Sequence, residues 1–99
     1  MLYDKGASEG KIMGYDVMDR FVGQFYKSKR KQNRWTIQDV ADKLHIPKET
    51  YYGYEVGRRS MPLKVMKTLG KIYGIDYISV LEDAQKIFIM TLRNEDGSL

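Results

Sequence analysis

The stretch Trp35–Arg59, WTIQDVADKLHIPKETYYGYEVGRR, carries two short helical patterns divided by a three-residue break. Thr36 is a good N-cap, and Asp39 three positions on is a shorter form of the partner that completes a capping box. Val40, Ala41 and Leu44 then supply an apolar stripe at helical spacing. His45-Ile46-Pro47 closes this helix, because proline cannot continue one yet suits the first position of the next. His45 is expected to take φ > 0 in the turn, which histidine tolerates better than most residues. From Pro47 to about Val56 a second helix is expected to bury Tyr51 and Tyr54 and to stop at Gly57, a left-handed terminator. The phenols of these two core tyrosines are expected to find an outlet at the domain edge.

Reading outward, Phe21, Val22, Phe25 and Tyr26 fall on one stripe of a helix from Val17 to about Gln32, and Asn33-Arg34 breaks the pattern. Before it, residues 1–16 contain Gly6, Gly10 and Gly14 without a sustained period and read as a flexible lead-in. After the basic turn Arg58-Arg59-Ser60-Met61-Pro62, a fourth helix is expected to bury Leu63, Met66, Leu69, Ile72 and Tyr73 and to end at Gly74. Asp76 caps a fifth helix with Tyr77, Val80 and Leu81 inward. Lys86–Leu92, KIFIMTL, fits either an extension of that helix or a short strand, and Asn94–Leu99 reads as a frayed polar tail. The expected architecture is all-α: a compact five-helix bundle over 17–84, with a C-terminal extension at 85–99 that serves as a dimer contact or a tail.

Composition narrows the function. Ninety-nine residues, 42% hydrophobic and 30% charged, suit one small globular domain. With no cysteine and one histidine, the chain has no disulfide framework, no thiolate nucleophile and little from which to build a metal cage or a Ser-His triad. The start lacks an apolar signal region, and the longest aliphatic-aromatic run is Ile87–Met90, so neither secretion nor a membrane span is expected and a cytoplasmic location is. The net charge is +4, but Met18–Trp35 alone carries +5 and the rest sums to −1. A basic block on a near-neutral body is the pattern of a surface that meets a polyanion.

Two short helices joined by a tight turn, the second followed by glycine and basic residues, describe a helix-turn-helix. Residues Arg20–Leu81 resemble the Cro/C1 (XRE) family of DNA-binding domains, with the lambda-repressor-like fold. They hold its T-x-x-x-x-A segment, its aromatic-Glu-x-Gly-x-Arg segment, and the spacing to LKVMKTLGKIYGID without a gap. The resemblance implies that the helix over 47–56 enters the major groove with its leading residues first. Lys48 and Glu49 are then the foremost candidates for base edges, with Thr50 and Tyr52 on the same exposed side; a thymine methyl can pack on the Tyr52 ring. Thr36, at a helix N-terminus, and Arg58, Arg59 and Ser60 are expected at phosphates, while Lys31 and Arg34 of the basic block add attraction. Arg30 matches the family's arginine that pairs with the Glu of the aromatic-Glu motif, here Glu55, as structural support for the site. Three positions depart from the pattern. Ile37 stands where glutamine is frequent, Gly53 where a polar reader is frequent, and His45 replaces the usual turn glycine.

The function these features imply is sequence-specific binding of double-stranded DNA by a transcriptional regulator, a repressor acting as a homodimer on half-sites about 34 Å apart. No cofactor, metal or enzymatic activity is expected. The competing class is a protein-interaction module of the same fold, antitoxin-like, with weak or no DNA binding; Ile37 and Gly53 are the residues that favour it.

Overall fold

In the computed structural model, residues 13–96 are described, and among them the chain forms five α-helices and no strand. They are α1 (Met13–Gln32), α2 (Ile37–Leu44), α3 (Lys48–Glu55), α4 (Leu63–Tyr73) and α5 (Tyr77–Asp96). The all-α five-helix expectation holds. The segment boundaries expected at 16/17 and 84/85 do not coincide with helix ends, because α1 starts at Met13 and α5 runs unbroken to Asp96. Once a helix is nucleated, each further residue adds one backbone hydrogen bond at small cost, and a single glycine such as Gly14 is too weak a breaker to stop it. KIFIMTL is therefore helix, not strand, and residues 94–96 continue it instead of fraying. The rest of the expected lead-in and the last three residues of the expected tail lie outside the described residues.

Local chemistry explains the ends of the short helices. Thr36 Oγ1 accepts from the Asp39 N–H at 3.0 Å, and Asp39 Oδ2 accepts from the Thr36 N–H at 2.8 Å, which completes the capping box. His45 takes φ 59°, as the turn required, and the N–H of Ile46 reaches back to the Ala41 carbonyl at 3.1 Å. Pro47 is the N-cap of α3, one residue outside it. Asp76 accepts from the Ile78 N–H at 3.0 Å at the start of α5. The Thr36 N–H holds the Asp39 carboxyl below the ordinary carboxylate range. Since the folded-state pKa is the lower one, this contribution is complete above the ordinary aspartate range and fades as pH falls through the folded value. Wild type and Asp39→Ala are expected to show a constant difference in melting temperature from neutral pH down to ~5 and to converge as pH falls further; a gap that persists unchanged on acidification would refute the capping role of the carboxylate.

The core joins all five helices. Tyr26, Val40, Ala41, Tyr51, Leu69 and Ala84 are fully buried, and Val22, Val65, Met66 and Val80 nearly so. Among the described residues, the most extensive helix–helix packing is α1 against α5. Leu63, expected inside, is 54% exposed; Val65 and the loop residue Met61 are buried instead. Leu63 is the first residue of α4, directly after the N-cap Pro62.

Tyr26 stacks on Tyr73 with ring centroids 6.3 Å apart, and Tyr73 meets Trp35 at 5.6 Å. Among the described residues, the hydroxyls of Tyr26, Tyr51 and Tyr73 are buried without a hydrogen-bond partner. The phenol of Tyr51 thus does not reach the domain edge, because helix packing around Arg30 and Glu55 closes over it. Burial pushes the Tyr26 and Tyr73 phenols up to about 12 and Tyr51 higher still. Tyr26→Phe removes one unsatisfied hydroxyl while keeping the ring, so it is expected to raise stability by about 1 kcal/mol in urea unfolding. A destabilised variant would mean that the hydroxyl is partnered in solution.

Candidate nucleic-acid interface

Arg30 is the strut behind the site. Its Nε donates to Glu55 Oε2 at 2.8 Å, its Nη2 to Glu55 Oε1 at 3.1 Å, and its Nη1 to the Trp35 carbonyl at 2.9 Å. One guanidinium therefore ties the end of α1 to the last residue of α3 and to the loop leading into α2. The hydrogen bond that Arg30 donates to Glu55 raises the Arg30 pKa further above its ordinary value, so the charge is permanent. With both ends of the helix pair fastened from behind, the opposite side of α3 is left free to face outward.

That outward side carries Lys48, Glu49 and Tyr52, all exposed. Thr50 does not join them: it is half-buried, on the flank where α3 turns toward the core. Two residues from each, it lies roughly 200° round the helix from Lys48 and roughly 160° from Tyr52. Arg58 lies over the Tyr52 ring, 5.6 Å from its centroid, so the basic turn after α3 folds back along the same face. Ile37, the first residue of α2, meets Lys48, Glu49 and Tyr52 around a shallow notch of about 230 Å3 with mostly apolar walls. In the sequence Ile37 only stands where glutamine is frequent; the pairing of α2 with α3 brings it beside Tyr52.

Gly53 has a second purpose. The backbone N–H groups of Arg58 and Arg59 both bond to its carbonyl, at 3.0 and 3.2 Å. A Cβ on Gly53 would stand 2.9 Å from Arg59 Cδ, so the arginine stem occupies the space a side chain would fill. Of the remaining candidates, Lys31 and Arg34 are exposed, and Arg34 sits at φ 57° in the turn between α1 and α2. Thr36 accepts within its own cap, which leaves its O–H proton to donate; the Asp39 carboxylate sits at the same N-terminus. Ser60 is committed differently. Its hydroxyl lies 2.9 Å from both carboxylate oxygens of Asp19, which places an acidic group where a phosphate was expected. Among the described residues no group of His, Asp and Glu is placed to hold a metal, and no helix is long and apolar enough to cross a membrane.

This geometry, two short helices with an αL turn between them and the second helix presented outward, agrees with what comparison finds. The family model described as Helix-turn-helix matches residues 27–78, which contain α2, the turn and α3 entire. The chain belongs to the helix-turn-helix family, of the Cro/C1 type. Relatives of this helix-turn-helix chain include the uncharacterized HTH-type transcriptional regulator YqaE of Bacillus subtilis (strain 168), 36% identical over 64 residues, covering 63% of this chain and 55% of that protein. The HTH-type transcriptional regulator AnsR of the same organism is 41% identical over 44 residues, covering 44% of this chain and 38% of that one. The chain thus spans about half, or less, of the length of the curated relatives it matches. The crystal structure of the clp gene regulator ClgR from Corynebacterium glutamicum superposes with a TM-score of 0.63 over 83% of this chain and 87% of that one. At 17% identity the likeness is one of fold, and it extends the helix-turn-helix comparison beyond residues 27–78.

Proposed function

We propose that this protein is a sequence-specific, double-stranded-DNA-binding transcriptional regulator, a cytoplasmic repressor working as a homodimer. The observation that carries the reading is the free leading turn of α3, with Lys48, Glu49 and Tyr52 exposed and Arg58 folded along the same face. A helix end held rigid from behind and lined with donors, acceptors and cations suits a major groove flanked by phosphates. The curated relatives, named as transcriptional regulators, support the same reading. Residues 17–84 hold the DNA-reading elements in this proposal. Dimerisation is proposed through the outer side of α5, where Ile78, Ile89 and Leu92 are exposed at 11- and 3-residue spacings that share one helix stripe.

The test is binding of the full chain to labelled duplex at two salt concentrations, followed by selection of bound duplexes from a random pool. Affinity is expected to fall steeply with salt, as counterion release from ~4–6 phosphate contacts demands, and the selected duplexes are expected to be pseudo-palindromic. Arg58→Ala should weaken every sequence about equally and lower the salt slope by about one, whereas Lys48→Ala should relax one base position at a cost of about 1–3 kcal/mol. A folded chain that binds no duplex at low salt overturns the proposal in favour of a protein-interaction module.

A further inference from the structure

We infer that the notch between α2 and α3 reads a thymine, taking its 5-methyl group against Ile37 and Tyr52. The inference rests on the DNA-binding reading above and adds the base that is recognised at this point of each half-site.

The notch lies at the leading turn of α3, where a recognition helix meets base edges first. Its two apolar walls come from different helices. Ile37 opens α2, where the Thr36–Asp39 box holds the backbone in place, and it also packs partly against the core. Tyr52 is 47% exposed, and Arg58 over its ring restrains its swing. A concave apolar surface is out of place on a face otherwise made of Lys48, Glu49 and Arg58, unless its occupant is also part apolar and part polar.

Among the base edges in the major groove, thymine alone presents an apolar group, its C5-methyl, with the O4 acceptor beside it and the adenine N6 amino group across the pair. The residues around the notch supply one donor and one acceptor. The Lys48 ammonium is a donor suited to O4, and the Glu49 carboxylate is an acceptor suited to the adenine amino group. A cytosine would leave the apolar walls uncovered and turn its own amino donor toward Lys48. An apolar side chain of a protein would also fit the walls, but the cations Lys48 and Arg58 beside them, on a chain whose basic excess lies in Met18–Trp35, favour a polyanion.

The experiment uses the full chain and the duplex selected from the random pool. Each thymine is replaced singly by deoxyuridine, which removes only the 5-methyl, and affinity is measured for wild type, Ile37→Gln and Tyr52→Ala, each checked for folding by thermal melting. One thymine per half-site is expected to show about fourfold weaker binding by wild type when its methyl is removed, the effect of one buried methyl. The same replacement should leave the affinities of Ile37→Gln and Tyr52→Ala unchanged. If no thymine shows the loss in wild type, or if both variants still show it, the inference is overturned while DNA binding stands. If the folded wild type binds no duplex even at low salt, the DNA-binding reading itself fails and takes this inference with it.

Discussion

Glu55→Ala is expected to lower the unfolding free energy by about 3–5 kcal/mol, which would leave a domain of this size close to unfolded at 37 °C. The pair it breaks is nearly dry, with side-chain exposures of 11% for Arg30 and 2% for Glu55. Among the described residues, removing the carboxylate leaves the buried guanidinium with the Trp35 carbonyl as its one hydrogen-bond partner, and an uncompensated buried charge is far more costly than a lost surface ion pair. The double variant Arg30→Met/Glu55→Leu removes both charges and fills their volume, so it is expected to regain most of the stability that Glu55→Ala loses. Urea unfolding of Arg30→Met, Glu55→Leu and the double variant closes the cycle. Purely additive losses would mean that the pair does not hold α3 in place.

Gly23→Ala is the second large effect, about 3 kcal/mol of destabilisation. Alanine is ordinarily the better helix residue by about 1 kcal/mol, so propensity alone predicts the opposite sign. Gly23 is where α1 crosses the end of α3, and a Cβ there would run into the carbonyls of Tyr54 and Glu55. Those atoms are backbone and cannot swing aside as a side chain can. α1 must move off α3, and overpacking of this kind outweighs the propensity gain. Because the same displacement pulls Arg30 away from Glu55, Gly23→Ala should also shift α3 and weaken duplex binding beyond what its loss of stability explains. A variant as stable as wild type would show that the crossing has more room than the structure gives it.

The signals that were readable without coordinates act over three or four residues. The Thr36–Asp39 box, the left-handed turn at His45 and the stop at Gly57 are each satisfied by neighbours along the chain, so residue type and spacing were enough. The Arg30–Glu55 pair, 25 residues apart, became legible only through family resemblance. Gly23 gave no signal, because glycine in a helical pattern reads as a mild defect until another backbone is seen against it. The Ser60–Asp19 hydrogen bond left no trace in the sequence for a related reason. The two residues lie 41 positions apart, and no local pattern connects them.

The chain's own residues determined five helices, the turn between the second and third, and a basic excess concentrated near the first, because periodicity, caps and charge are properties of neighbouring positions. Only the tertiary structure decided that Thr50 leaves the outward side of α3 while Ile37 arrives beside Tyr52, and that Arg59 takes the room Gly53 leaves open. Those outcomes depend on how helices rotate about their axes as they pack, and that rotation is set by contacts between residues far apart in sequence.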